Sequence, residues 1–447
     1  MTSFDLDDLS PPREFIALLE TLEKAGFEAW AVGGSLRDAV DRRMAGRPAR
    51  ETPDWDVATN ATPDEVISTF PRTVPIGVEH GTVGVLQADG VLYEVTTFRQ
   101  DVETDGRHAI VRFADSIDED LARRDFTINA MAWRPSTGEF RDPYGGHEDL
   151  GQGRLRAVGD ATDRFVEDHL RVLRGLRFAG RFDLEIEAET RSALVDAAGR
   201  LEDLSAERVR EELMKVLADP TPSTALDLYA EVGALETWFP EFLPLSSDRT
   251  AWRGHVGAVD RVGSHRPLVR LARLCVPIRG DAEQGAGATA GLLARLKFSN
   301  ADQRGVVGLV AAYLPFVSPL DSSAQVRLWL SEVGDAWRDV FRLHIAGARG
   351  LGDPQAAGLV VASWRTVHDQ VLDHPPLALR DLAADGSDLL DLGIEPGPVL
   401  GLLLEELLAQ VLEDPERNER ETLLDEARRL IQIGSLAGPA EGGSEDS

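Results

Sequence analysis

Apolar residues recur at helical spacing from Arg13 to Ala25, and the chain then turns to short apolar runs that read as strands. The first run is Ala29-Trp30-Ala31-Val32. Gly33-Gly34-Ser35-Leu36-Arg37-Asp38 follows it and leads into helix-compatible sequence, which predicts strand, tight turn and helix N-terminus. Further strands are expected around Trp55, near Val83 to Gln87 and from Val91 to Phe98, with a helix opened by Thr62-Pro63-Asp64-Glu65 between them. After Gly153 the strand pattern fades and helices dominate. Pro220-Thr221-Pro222, Pro240, Pro244 and Pro375-Pro376 mark breaks, and the Gly- and Ala-rich stretch Arg279 to Ala290 reads as a loop. The pattern predicts an α+β protein, with a mixed domain over 13–150 and helical regions behind it. A polar leader over 1–12 and a disordered tail over 434–447 flank these, the latter offering no core face.

A chain of 447 residues exceeds one typical core, so more than one domain is expected. Its single cysteine, Cys275, rules out a disulfide framework and points to a reducing compartment. No basic, apolar leader and no membrane-length apolar run is present, so a cytoplasmic location without membrane association is expected. The net charge of −30 argues against a nucleic-acid partner if taken as a total. Local sequence argues otherwise. Arg171, Arg174, Arg177 and Arg181 fall on one helical stripe, with Val172, Leu176 and Ala179 opposite, so a packed helix can present arginines to a cleft.

Candidate chemistry centres on Thr52-Pro53-Asp54-Trp55-Asp56-Val57. In an extended strand Asp54 and Asp56 face one side, where their carboxylates can share a hard cation, while Trp55 faces the other. Asp-x-Asp alone is common in an acidic chain, and its ordinary reading is a solvated strand end. Two companions change that reading. Gly33, Gly34 and Ser35 can offer backbone and hydroxyl donors to phosphate oxygens, with Arg37 as a further donor, and Glu94 lies on the later run between apolar neighbours. Three carboxylates beside a phosphate-binding turn suit two Mg2+ ions and in-line nucleotidyl transfer.

Gly-Gly-Ser, Asp-x-Asp and the apolar-acid-apolar strand together resemble the palm of the DNA polymerase beta nucleotidyltransferases. Gly33-Gly34-Ser35-Leu36-Arg37-Asp38 with Arg123-Arg124-Asp125-Phe126-Thr127-Ile128-Asn129-Ala130 is similar to the class II branch, which holds bacterial tRNA CCA-adding enzymes and poly(A) polymerases. Asp142-Pro143-Tyr144-Gly145-Gly146, Glu167-Asp168-His169-Leu170-Arg171 and Ser205-Ala206-Glu207-Arg208 continue the resemblance in order. It implies a polymerase-beta-like nucleotidyltransferase palm with a mixed sheet, followed by an all-α neck (151–244), a helical body (245–370) and an RNA-binding tail (371–433). Asp54 and Asp56 resemble the family's magnesium ligands, and Glu94 takes the third acidic position, beside the primer hydroxyl. Gly34 and Arg37 match triphosphate-holding positions, and Arg124, Asp125 and Asn129 match residues around the nucleotide's phosphates and ribose.

Asp168 and Arg171, three apart on an expected helix, pair an acceptor with a fork of donors. Such a pair suits the edges of cytosine and adenine, and in the family it serves as a protein template for CTP and then ATP. Without the motif, it would read as a surface ion pair. The resemblance implies that Arg174 and Arg177 line the same pocket, whereas Glu207 and Arg208 brace the neck. Gln100 to His108, followed by Val111-Arg112-Phe113, resembles the flexible loop that switches selection to ATP. The arginine-containing stretch 42–51 lengthens the approach to Asp54 and is either an RNA contact or a solvated loop. His255 resembles the start of a fused phosphohydrolase domain, but the His-Asp step is missing near Leu271 to Pro277, so the body is expected to be a degenerate relative without hydrolase activity. The expected activity is addition of CCA to the 3′ end of tRNA from CTP and ATP. An A-adding enzyme, a poly(A) polymerase and a non-catalytic RNA-binding protein stand as alternatives.

Overall fold

The computed structural model describes residues 9–47, 54–104, 109–276, 282–313 and 320–432. The leader up to residue 8, the tail from 433, residues 48–53 of the arginine-containing stretch and 105–108 of the expected loop lie outside them. The described residues form two compact units. The first runs to Arg253 and takes in Ala294–Phe298; the second holds Gly254–Leu293 and the chain from Ser299 onward.

The first unit opens with α1 (Arg13–Lys24), β1 (Ala29–Val32), α2 (Gly33–Met44), β2 (Asp56–Thr59), α3 (Pro63–Thr69), β3 (Thr73–Gly77), β4 (Thr82–Leu86) and β5 (Leu92–Thr97). The hairpin of β6 (Arg99–Thr104) and β7 (Ala109–Phe113) leads to α4 (Ile117–Ala122), β8 (Ala132–Arg134), β9 (Glu139–Arg141) and α5 (Gly146–Gly151). The Thr62 side chain and Glu65 close a capping box that starts α3 where the sequence places it. Seven strands form one sheet in the order β3-β4-β5-β2-β1-β8-β9, with β2 and β5 parallel and the other pairs antiparallel. Residues alternate across it. Trp55, Val57, Tyr93 and Val95 are buried on the face covered by α1, where the Phe15 ring lies 5.2 Å from Trp55 and 5.6 Å from Tyr93. On the other face Trp30, Val32, Ala58 and Ala132 pack with Phe98, Leu121 and Val158, so the half nearest β1 and β8 is closed.

Past Gly153 the short pair β10 (Arg154–Leu155) and β11 (Glu185–Ile186) is parallel, and the rest of this unit is helical: α6 (Ala161–Glu167), α7 (Leu170–Phe182), α8 (Ala188–Ala198), α9 (Ala206–Ala218) and α10 (Pro222–Glu231). Three local expectations are corrected. The stretch read as a loop from Arg279 is helical over Ala282–Arg295, because alanine favours the helix and Leu292 and Leu293 give it a buried face. The segment after Arg99 pairs as the β6–β7 hairpin. The helix expected to carry Asp168 breaks there: Asp168 is extended (φ −153°, ψ 106°) between α6 and α7.

The described residues of the second unit form helices and no strands. Val326, Leu330, Trp337, Phe341, Val360 and Val367 make one cluster, and Leu389, Leu403, Leu407, Val411 and Leu423 make another nearer its end. His255 is buried, and its Nε2 donates to the Leu274 carbonyl at 2.9 Å, a contact between helices rather than a metal bond. No helix among the described residues is long and apolar enough to cross a membrane.

Candidate active site

Asp56 opens β2 and stands in register with Glu94 on parallel β5, so both side chains leave the sheet on one face. Val32 of β1 is the next residue in that row, and the chain turns there into α2 through Gly33. Gly33 has φ +79°, and a Cβ added to it would lie 2.5 Å from Asp56 Oδ2, so glycine is required on both counts. Burial, and next the Glu94 charge, push the Asp56 carboxyl up to about 6; Arg124 opposes this and Asp54 adds to it. Asp54 precedes β2, exposed, and its carbonyl accepts from Ser35 Oγ at 2.6 Å. The alternation expected for Asp54-Trp55-Asp56 is present, with Trp55 2% exposed. Among the described residues no group of three or more acidic, histidine or cysteine side chains is close enough to enclose an ion.

A cleft of about 680 Å3 extends from these carboxylates toward α7 and α9. Nine basic and five acidic side chains line it, so the cleft is positive in a chain of net charge −30. Its basic groups are held by a relay. Arg37, packed between the Phe178 and Phe182 rings, donates through Nη1 to Asn129 Oδ1 at 2.6 Å and through Nε and Nη2 to Asp38. Asn129 Nδ2 donates to Asp125 Oδ1 at 2.9 Å, and Arg174 Nε donates to Asp125 Oδ2 at 2.7 Å. Burial works against ionisation of Asp125, yet Arg174, Asn129 and the Phe126 N–H outweigh it and hold the carboxyl at about 2. Arg124 bridges Asp120 and the Asn129 carbonyl, each at 3.0 Å. Arg177 forms a buried pair with Glu212 at 2.7 Å, which Lys215 joins at 2.8 Å.

Arg171 and Arg177 are buried, whereas Arg174 and Arg181 are about one-third exposed, so the arginine stripe faces packed structure along half its members. Asp168 Oδ1 accepts the Leu170 N–H at 3.0 Å, while Oδ2 accepts from Arg208 Nη2 of α9 at 2.7 Å. Arg171, in the first turn of α7, donates to Glu167 and to the Arg164 and Arg123 carbonyls, both at 3.1 Å. Asp168 and Arg171 therefore meet at a helix junction, on one wall of the cleft, with their orientation set from outside the pair.

Most of the residues singled out by sequence line this cleft: Gly33, Gly34, Arg37, Asp56 and Glu94 on the sheet side, with Arg124, Asp125, Asn129, Asp168, Arg171, Arg174 and Arg177 opposite. Ser35 and Asp54 sit just outside the lining. Arg208 and Lys215 line it without having been singled out for the cleft. The signal was available, since Arg208, Glu212 and Lys215 recur at helical spacing along one face of α9. Glu207 pairs with Lys297 at 2.8 Å and does not line the cleft.

A sheet carrying paired carboxylates, joined through a positive cleft to a helical neck, defines a nucleotidyltransferase of the polymerase-beta type. The Poly A polymerase head domain matches residues 29–156, and the probable RNA- and SrmB-binding site of polymerase A matches 183–245. The CCA-adding enzyme of Anoxybacillus flavithermus is 34% identical over 420 residues, covering 92% of this chain and 95% of that one. That of Leuconostoc mesenteroides is 48% identical over 222 residues, covering 48% and 53%. The crystal structure of the Bacillus stearothermophilus CCA-adding enzyme in complex with CTP superposes with a TM-score of 0.76 at 28% identity, covering 94% of this chain and 98% of that one. The chain belongs to the CCA-adding enzymes, the tRNA nucleotidyltransferases that build the CCA end.

Proposed function

We propose that this chain completes the 3′ CCA end of tRNA, adding C, C and then A from CTP and ATP and releasing pyrophosphate. The register pairing of Asp56 with Glu94 at the mouth of a positive cleft carries this reading. It puts carboxylates where a hydroxyl, an α-phosphate and a triphosphate tail can meet.

In this reading Asp54 and Asp56 hold Mg2+, and the donor set fits it. The ligands are oxygens, and Asp56 is partly desolvated and repelled by Glu94, a cost that a bound cation would offset. When bound, the metal neutralises charge on the attacking and leaving oxygens of the in-line transfer. Glu94 orients the primer hydroxyl. The amides at Gly33 and Gly34, with Arg37 and Arg124, receive the triphosphate, Ser35 braces that turn against the Asp54 carbonyl, and Arg174 and Arg177 extend the wall toward the base. Asp125 and Asn129 hold the ribose side and keep Arg37 and Arg174 in place through the relay. Asp168 accepts from the exocyclic amine shared by cytosine and adenine, and Arg171 donates to their ring or carbonyl acceptors. An ionised carboxylate at that position disfavours guanine and uracil, which lack the amine there.

The division into palm (13–150), neck (151–244), body (245–370) and tail (371–433) belongs to this proposal, with the neck supplying Asp168 and Arg171. A cytoplasmic setting accords with the buried free Cys275. The A-adding and poly(A) readings use the same chemistry and differ in product. Stepwise extension of tRNA ending at the discriminator base, at -C and at -CC, with CTP and ATP supplied singly and together, separates them.

A further inference from the structure

The row of residues that holds the carboxylates does not stop at Glu94. In register across the sheet, Glu94 is followed by Gly84 of β4 and then by Val74 of edge strand β3. This half of the face is open, in contrast to the half packed around Trp30 and Val32. Leu92, two residues before Glu94 on the same face, leans over Gly84, and a Cβ built on Gly84 would lie 3.0 Å from its Cδ1. Glycine there lets Leu92 lie low against the strand. Leu92 and Val74 are 41% and 40% exposed, an apolar shelf ending at a carboxylate. On the other side of Glu94, the Thr82 and Thr96 hydroxyls are 3.1 Å apart in the neighbouring row.

In-line transfer fixes what must lie on this shelf. The attacking oxygen and the leaving pyrophosphate stand on opposite sides of the phosphorus. Arg37, Arg124 and Arg174 are tied together on the β1 side of Asp56 through Asn129 and Asp125, whereas Arg99 alone among the basic groups of the cleft closely follows β5, and no residue of β3 or β4 lines it. With the triphosphate on the clustered arginines, the β5 side is left for the attacking hydroxyl. We propose that the unpaired 3′-terminal nucleotide of the RNA primer seats its base on the Leu92–Val74 shelf and its ribose beside Thr82 and Thr96, which sets its 3′ hydroxyl at Glu94. This rests on the nucleotidyltransferase reading of the site. An unpaired base brings an apolar π-face and a ribose brings hydroxyls, the two chemistries that the shelf and the threonine pair match.

The test is steady-state extension of tRNA ending at -C by wild type, Leu92→Glu and Val74→Glu, with CTP affinity measured separately by equilibrium binding. Val195→Glu, an exposed apolar position on α8, serves as the control. Each shelf variant is expected to raise the KM for tRNA by about ten-fold while leaving CTP affinity and the control unchanged. An unchanged KM for tRNA, or an equal loss of CTP affinity, would overturn the shelf. An independent arm uses wild type and a tRNA whose 3′-terminal nucleotide is 4-thiouridine. Cross-linking to the peptide containing Val74 or Leu92 is expected, and cross-linking confined to α7 or α9 would contradict it. Failure of wild type to extend any tRNA would instead overturn the underlying reading of the site.

Discussion

Arg208 of α9 reaches Asp168 at the α6–α7 junction, its Nη2 2.7 Å from Asp168 Oδ2, so the proposed base-reading carboxylate is oriented by a helix that arrives forty residues later. With Oδ1 already accepting the Leu170 N–H, the Asp168 carboxylate has a fixed plane. Arg208→Ala should free it. Selection of CTP and ATP over UTP and GTP should fall by roughly ten-fold, the scale of one charge-assisted hydrogen bond, with the triphosphate interactions kept. Single-turnover kcat/KM for the four nucleotides measures this. Asp168→Ala should blur selection further, and a variant with unchanged selectivity would remove Asp168 from the template role.

Asp54→Ala and Asp56→Ala should each lower transfer roughly 100-fold or more while tRNA binding stays close to wild type. Asp56→Asn carries a second readout. Its charge is unfavourable in the metal-free protein because burial and Glu94 both act against it, so the neutral variant should melt at a higher temperature than wild type without divalent ion. Added Mg2+ should raise the melting temperature of wild type and leave Asp56→Asn nearly unchanged.

Gly33→Ala should cost activity out of proportion to its size. The left-handed backbone at Gly33 disfavours a side chain by about 1 kcal/mol, and the new methyl would fall 2.5 Å from Asp56 Oδ2 and displace it. A folded Gly33→Ala protein with wild-type kcat, measured alongside a circular dichroism melt, would show that Asp56 has no such dependence.

Acid should destabilise the second unit before carboxylate protonation dominates. Burial, reinforced by Arg273, holds His255 down to about 3 and His344 to about 4. Unfolded histidine takes a proton near 6.5, so between that value and about 4 the unfolded chain binds more protons and stability falls as pH falls. Each histidine contributes a slope of about 1.4 kcal/mol per pH unit in that window. Denaturant melts from pH 7 to 4.5 should show this slope, and His344→Phe should lose one histidine's share of it.

The sheet was legible because alternation puts Asp54 and Asp56 on one side of a strand and a glycine pair after a short apolar run announces the turn into α2, whereas the pairing of Asp56 with Glu94 depends on the β2–β5 register. Asp168 was harder to read. The run from Arg164 to Arg181 keeps helical spacing throughout; the local mark of the break is Asp168 itself, whose Oδ1 accepts the Leu170 N–H, and the rest of the hold comes from the distant Arg208. Strand β6 of the β6–β7 hairpin is mostly polar, Arg99-Gln100-Asp101-Val102-Glu103-Thr104, and its pairing comes from the partner strand, so composition suggested a loop. Glycines in Ala282–Arg295 masked a helix whose Leu292 and Leu293 find a core only in the folded unit. Arg208 and Lys215 were visible as a helical face, but what that face meets is a tertiary fact.

Stepwise extension of defined tRNAs decides whether this protein builds the CCA end. Purified protein with Mg2+ is given tRNA ending at the discriminator base, at -C or at -CC, with CTP alone, ATP alone or both, and products are resolved to single nucleotides. A CCA-adding enzyme arrests at -CC with CTP alone, adds one A to the -CC substrate with ATP alone, and leaves a complete CCA end with both. Addition of A only, long A tails, or no incorporation at all would contradict this activity.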